Sequence, residues 1–311
     1  MSERVGLLVM AYGTPSGPDD VERYYTDIRG GRPPSPDSLA ELKERYAAIG
    51  NTFPLARITR DQGEALVSEL NRDGSGPEFA LYFGMKHSPP FVPHSVAQMA
   101  EEGIDEAIGL VLAPHYSRMS IGSYIERVEK SLPPSGPSFT FVESWHDHPE
   151  FVALLMERVR AARSKLTDAQ RSNDVLVFTA HSLPKKILEW NDPYPIQLAE
   201  TAESVSRGLG LDRFTTGWQS AGRTPEPWLG PSLGEVIEQA ANKGRTAVVV
   251  CPCGFVADHL EILYDIDIEA QEIARREGIP LMRTQSMNAD PSFIQALASV
   301  VRNHLKARQK A

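Results

Sequence analysis

Short runs of apolar and β-branched residues recur along the chain, separated by stretches where apolar positions return every three or four residues. The runs at 5–10, 79–84, 107–112 and 139–142 predict strands in the first half. Those at 175–179, 214–217, 246–250 and 281–284 predict four more in the second. Helical spacing fills most of the gaps, for example over 59–71, 150–164, 195–208, 232–243 and 258–277. Strand–helix alternation implies right-handed crossovers and parallel sheets. Four strands in each half predict an α/β protein of two similar doubly wound lobes with a cleft between them. No sequence repeat relates the halves. Pro/Gly-rich joints fall at 30–36, 133–137 and 224–231, and the last helix, 291–308, is expected to pack back across the first lobe.

In open α/β sheets, ligands gather beyond the carboxyl ends of the strands. Tyr12 follows the first predicted strand, His87 the second, His115 the third, His181 the fifth and Gln219-Ser220 the sixth. The segment 254–261, Gly-Phe-Val-Ala-Asp-His-Leu-Glu, follows the seventh and opens an acidic helix. At about 100° per residue, Glu261, Asp265, Glu269 and Glu272 share one sector of that helix. Ile262, Leu263, Ile266, Ala270, Ile273 and Ala274 take the adjoining sector and are expected to face a core. Like charges four apart cost about 0.2–0.5 kcal/mol per pair, so the ladder does not serve helix stability. Rows of oxygen donors suit a divalent cation. A plainer reading makes Asp258 and Glu261 a capping box, with acids favoured in the first turn by the helix dipole. That reading leaves Asp265 and Glu269 without a role.

The net charge of −9 and the lack of a dense Lys/Arg run argue against a nucleic-acid binder. No apolar stretch approaches the roughly 20 residues that span a bilayer. The run at 5–10 reads as a strand rather than a signal peptide. Two cysteines, Cys251 and Cys253, make no disulfide framework and fit a reducing, cytoplasmic setting. They are too few for a four-thiolate iron–sulfur cluster within one chain, and their apolar surroundings predict buried structural thiols. No G-x-G-x-x-G follows the first strand, and no phosphate-binding G-x-x-x-x-G-K-[ST], G-x-S-x-G elbow or H-E-x-x-H occurs. Dinucleotide, NTP, serine-hydrolase and zinc-peptidase chemistry are therefore disfavoured. A carboxylate row, a strand-end imidazole, a phenol and arginines near Arg29, Arg32 and Arg45 remain, and arginine forks suit carboxylate-bearing ligands.

Four segments taken together resemble the ferrochelatase family: 7–15 (Leu-Leu-Val-Met-Ala-Tyr-Gly-Thr-Pro), 180–184 (Ala-His-Ser-Leu-Pro), 217–220 (Gly-Trp-Gln-Ser) with 227–231 (Pro-Trp-Leu-Gly-Pro), and 254–261. The likeness is to the bacterial branch acting on coproporphyrin III. It implies the chelatase fold, with two Rossmann-like lobes, each a four-stranded parallel sheet flanked by helices. The first lobe is expected over 1–113, with helix 291–311 packed back on it. The second, over 114–290, is expected to carry a His/Glu metal site. The resemblance further implies no organic cofactor, and Fe(II) and a porphyrin as substrates, while the two cysteines already argue against an iron–sulfur cluster. His181 and Glu261 match the pair facing the porphyrin centre, and Asp265 and Glu269 match the acids trailing from it as further metal ligands. Tyr12 matches a tyrosine that ligates iron, where protoporphyrin-using relatives usually carry methionine. Arg29, Arg45, Tyr46 and Tyr124 match positions that hold the macrocycle and its propionates. Two departures stand out: Phe53 replaces a propionate-binding serine, and Gly30 a basic residue found in some relatives. The expectation is a cytoplasmic monomer in haem biosynthesis, with transient contacts to other enzymes of that route. The rival readings are a protoporphyrin IX ferrochelatase, a cobaltochelatase of the same fold, and a non-enzymatic haem or porphyrin carrier. A carrier needs an axial ligand but no acidic ladder.

Overall fold

The computed structural model describes residues 4–74 and 76–308. Its residues divide into two compact units. The first holds the described residues up to Ala113, together with Ser120–Glu143 and those from Asn288 onward, and the second holds Pro114–Met119 and Ser144–Met287.

In the first unit four parallel strands, β1 (Arg4–Ala11), β2 (Glu78–Met85), β3 (Glu106–Val111) and β4 (Ser138–Val142), lie in the order β2-β1-β3-β4. β1 is central and buried from Val5 to Ala11, with Leu7 paired to Leu81 on one side and Ile108 on the other. That explains its unbroken apolar run: a parallel strand covered by helices on both faces has no solvent side to alternate with. The second unit repeats the plan with β5 (Val175–His181), β6 (Phe214–Gln219), β7 (Val248–Cys251) and β8 (Leu281–Arg283), in the order β6-β5-β7-β8. β5 is central and buried until its last residue, His181, which is partly exposed.

The expected boundary after residue 113 needs correction. Ser120–Glu143 returns to the first unit because β4 completes its sheet, pairing with β3 from Glu106↔Ser138 to Leu110↔Val142. Helix Ile121–Glu129 buries Ile121, Tyr124 and Val128 in that unit. Only Pro114–Met119 crosses over. Asp192 accepts hydrogen bonds there from the Ser117 hydroxyl (3.0 Å) and the Arg118 N–H (2.8 Å). The second unit ends at Met287 rather than 290, and the Asn288 carbonyl accepts from Gln62 of the first unit at 2.8 Å. Helix Pro291–Arg308 belongs to the first unit and buries Phe293, Ile294, Leu297 and Val301. Residues 309–311 of the expected final helix, like 1–3 of the expected first lobe, lie outside the described residues.

The predicted helix 258–277 is three pieces: an α-turn Leu260–Leu263, a π-helix Asp265–Ala270 and an α-helix Gln271–Arg276. The Tyr264 carbonyl accepts both the Ile268 N–H (3.1 Å) and the Glu269 N–H (2.9 Å), the second being the five-residue bond of a π-turn. Of the six residues expected to face a core, Ile262, Ile266, Ala270 and Ala274 do so in the second unit and Ile273 packs partly buried against it, whereas Leu263 stays partly exposed outside that cluster. The loop before this segment is held tightly to β5. The Gly254 N–H donates to the Thr179 carbonyl at 3.0 Å, and a Cβ on Gly254 would collide with the Ala180 Cβ and lie 2.7 Å from its Cα. Gly254→Ala must lift this loop off the strand that ends in His181. The expected cost is about 1–3 kcal/mol of overpacking, read as a lowered midpoint in urea, with reduced turnover.

Candidate active site

In the second unit β5 delivers His181 and the turn after β7 delivers Glu261. The His181 Nδ1–H donates to Glu261 Oε2 at 2.7 Å. Burial opposes charge on the imidazole, but the facing Glu261 carboxylate and its hydrogen bond outweigh it, so the His181 pKa is raised. For Glu261, burial opposes ionisation and the His181 charge and hydrogen bond reverse it, leaving the carboxyl well below the usual range. The pair is thus biased toward imidazolium and carboxylate. With Nδ1–H committed to Glu261, deprotonation frees the Nε2 lone pair.

The neighbouring strand supports the pair. The Gln219 side chain donates from Nε2 to the Glu261 carbonyl (2.9 Å) and accepts at Oε1 from the Thr179 hydroxyl (2.6 Å). Ser220, in left-handed backbone at φ 56°, donates its hydroxyl to Asp265. The Tyr194 hydroxyl donates to the His181 carbonyl at 3.0 Å. Asp265 is accordingly buried, whereas Glu269 is exposed and Glu272 is exposed and paired with Arg275. Asp267 forms a two-pronged pair with Arg283 at 2.7 and 2.8 Å. The acids do not form one continuous ladder. Among the described residues no three His, Cys, Asp or Glu side chains converge closely enough to hold a metal ion, so His181, Glu261, Asp265 and Glu269 do not make one coordination shell. The capping-box reading also falls. The helical turn begins after His259, which makes no side-chain cap, and Asp258 accepts instead from the Ser286 hydroxyl at 2.6 Å.

In the first unit Tyr12 stands at the end of β1, 43% exposed, its ring 4.6 Å from that of His87. His87 Nδ1 meets Asp27 Oδ1 at 2.6 Å. Burial, only partly countered by Asp27, lowers the His87 pKa. Lys86 reaches the Ser123 hydroxyl (2.7 Å) and lies 5.3 Å over the Tyr124 ring, and burial with nearby Arg127 brings its pKa down to about 8. Tyr124 is buried, and burial raises its pKa. Arg45 pairs with Glu41 at 3.2 Å, and the buried Tyr46 stacks on Phe53 at 4.5 Å, so the phenylalanine standing for a serine packs against a ring. Arg29 follows helix Val21–Ile28 and is exposed. Gly30 and Gly31 after it take φ of 65° and 85°, a helix ending that a basic side chain at 30 would strain.

His115 is the clear misplacement. Expected at a strand-end rim, it is 2% exposed inside the second unit, bonded through Nε2 to the Thr201 hydroxyl at 3.0 Å. Burial, then the nearby His146, brings its pKa down to about 3. His259 bonds the Ala257 carbonyl at 2.9 Å. Cys251 and Cys253 are both buried. No helix among the described residues is long and apolar enough to cross a membrane.

The sequence profile described as ferrochelatase matches residues 4–305. The chain belongs to the ferrochelatase family. It is therefore a metal chelatase, similar along its whole length to proteins named coproporphyrin III ferrochelatase. The protein of that name from Anoxybacillus flavithermus is 49% identical over 309 residues, covering 98% of each chain. The one from Bacillus subtilis is 46% identical over 301 residues, covering 96% of this chain and 97% of its own. Among solved structures, SirB from Bacillus subtilis with Fe3+ superposes with a TM-score of 0.57 at 11% identity, covering 96% of this chain and 94% of SirB. CbiX, described as the terminal enzyme for siroheme biosynthesis in denitrifying bacteria, gives 0.55 at 11%, covering 96% and 98%. At that identity the likeness shows the fold alone, that of the chelatases.

For a ferrochelatase-family chain, sequence reasoning passed over several groups around the pair: Thr179, Tyr194, the Ser220 contact with Asp265, and Asp27 behind His87. Gln219 and Ser220 were visible as strand-end residues, but a glutamine amide carries no signal of what it will bond. Asp27 gave none either, because its partner lies 60 residues away.

Proposed function

We propose that this chain inserts Fe(II) into coproporphyrin III, forming coprohaem for haem biosynthesis. The observation that carries the reading is the His181–Glu261 pair, an imidazole and a carboxylate 2.7 Å apart at the carboxyl end of a central strand. The relatives' names support the choice of porphyrin, as does Tyr12 where protoporphyrin-using relatives usually carry methionine. Insertion exchanges two pyrrole N–H protons for one divalent metal. A planar ring shields both nitrogens and protons, so the reading includes a ring held out of plane, a strain of about 1–5 kcal/mol. Contacts to its propionates, assigned to Arg29 and Arg45 with Tyr46 and Tyr124 on the macrocycle, offset that strain.

His181 takes a pyrrole proton or the incoming metal on Nε2, and Glu261 holds the opposite ring nitrogen. Two protein donors suit a metal in transit, since the porphyrin nitrogens complete its coordination. Asp265 and Glu269 are assigned to guiding hydrated iron or departing protons. Tyr12 is assigned the axial phenolate ligand of the finished complex, a form that a bound metal's positive charge favours. The reading is tested by anaerobic spectrophotometry of Fe(II) with coproporphyrin III and with protoporphyrin IX. The coproporphyrin spectrum should convert to that of the iron complex with a kcat/KM at least about tenfold higher, a difference of about 1.4 kcal/mol in transition-state binding. Preference for protoporphyrin IX would move the chain to the other branch, and no conversion of either would overturn the reading.

A further inference from the structure

We infer that Gln219 is a positioning residue for metal insertion: its side-chain amide fixes where the Glu261 carboxylate meets the His181 imidazole. The inference rests on the assignment of His181 and Glu261 to that reaction. His181 and Gln219 are direct partners on adjoining strands. Thr179 lies two residues before His181, so the period of a strand gives Thr179, His181 and Gln219 one common face. The orientation of the amide follows from chemistry. The Glu261 carbonyl only accepts, so the nitrogen must face it, and the oxygen then meets the Thr179 hydroxyl, which has a proton to give. Gln219 is 4% exposed and Thr179 0%, so both bonds lie away from water, where losing either leaves a polar group unpaired.

Glu261 needs such an anchor. It sits in a helical turn of four residues, Leu260–Leu263, that has no side-chain cap and runs into a π-helix. Its own segment therefore holds it weakly. The next residue after Gln219 acts on the following turn, where Ser220 bonds Asp265. Two consecutive residues, the last of β6 and the one after it, thus hold this irregular segment: Gln219 at the Glu261 main chain, and Ser220 at Asp265 and at the Glu261 carboxylate. Tyr194 holds the other partner through the His181 carbonyl. The 2.7 Å bond between the pair breaks if Glu261 moves by about 1 Å, a misplacement that can cost about 10²-fold in rate.

The test is Gln219→Met, which keeps length and removes both hydrogen bonds. Its kcat for iron insertion should fall about 10–100-fold, while coproporphyrin III affinity, read by fluorescence quenching, stays within about twofold. A crystal structure of the variant should show His181 Nδ1 and Glu261 Oε2 beyond about 3.5 Å. Thr179→Ser, which keeps the hydroxyl, should retain kcat within about twofold, and Thr179→Val should lose an intermediate amount. The inference is overturned by a Gln219→Met kcat within about twofold of wild type, by an unmoved pair, or by an equal loss of porphyrin affinity. Should Gln219→Met fail to fold, the two Thr179 variants decide, and full kcat in Thr179→Val overturns it. Wild-type protein inactive toward coproporphyrin III would instead sink the proposed function, with the variant's pair geometry still judging Gln219.

Discussion

Replacing His181 with alanine is expected to lower iron insertion into coproporphyrin III by about 10²–10⁴-fold while leaving folding and porphyrin binding largely intact. The size follows from what remains. Glu261 loses the His181 charge and hydrogen bond that keep it ionised, so burial pushes its pKa back up, and without the imidazole one of the two donors for incoming metal is gone. The fold should survive because the residues that bury β5 lie before His181. Val177 and Phe178 are fully buried, and Leu176 nearly so. The bond from Tyr194 goes to the His181 main chain and persists in the variant. Since His181 is partly exposed, its removal should cost no more than about 1–2 kcal/mol, a fall of a few degrees in Tm. Anaerobic spectrophotometry gives kcat, fluorescence quenching the porphyrin Kd, and circular dichroism the melting point. Near-wild-type turnover would remove His181 from the chemistry. A parallel loss of porphyrin affinity would make it a binding residue instead.

The strands and the face of the acidic segment were legible because burial on both sides of a parallel sheet leaves unbroken apolar runs. Runs such as 5–10 and 175–179 need no partner to be recognised. The division of the chain was harder. Nothing local at Ser138 says that β4 will pair with β3, and the crossing at Pro114–Met119 depends on Asp192, more than 70 residues on. His115 was misplaced for the same reason. The π-turn left no local mark. Ile262, Ile266, Ala270 and Ala274 recur every four residues, and the drift of about 120° over three α-helical steps fits an ordinary apolar stripe, so this spacing predicts a plain α-helix. The five-residue bond from Glu269 to Tyr264 shows only in the folded chain. The same spacing made Glu261, Asp265 and Glu269 look like an even ladder. In the folded chain the first meets His181, the second Ser220, and the third is exposed to solvent.

Glu261→Gln should shift the acid side of the pH–rate profile downward, because it removes the charge that favours imidazolium on His181. In the wild-type protein the raised His181 pKa puts this limb above the ordinary histidine value of about 6.5, and kcat/KM climbs as rising pH frees Nε2. With a neutral amide at 261, burial is the strongest influence left on the imidazole, and burial lowers its pKa. The limb should therefore move toward lower pH, while the plateau falls about 10²-fold, since an amide aligns the ring less firmly and offers metal a weaker donor. Stability should respond as well. The His181 contribution is complete below about pH 6.5 and is lost as pH rises through the raised folded value. The Glu261 contribution is complete above its unfolded value of about 4.3 and is lost as pH falls toward the depressed folded one. The pair thus stabilises most between those two unfolded values, and the melting points of wild type and Glu261→Gln should diverge most there. Profiles of kcat/KM and of Tm from pH 4 to 9 measure both effects. An acid limb that stays in place would mean Glu261 does not set the charge on His181, and the imidazole would then have to act as metal ligand rather than as a base tuned by its partner.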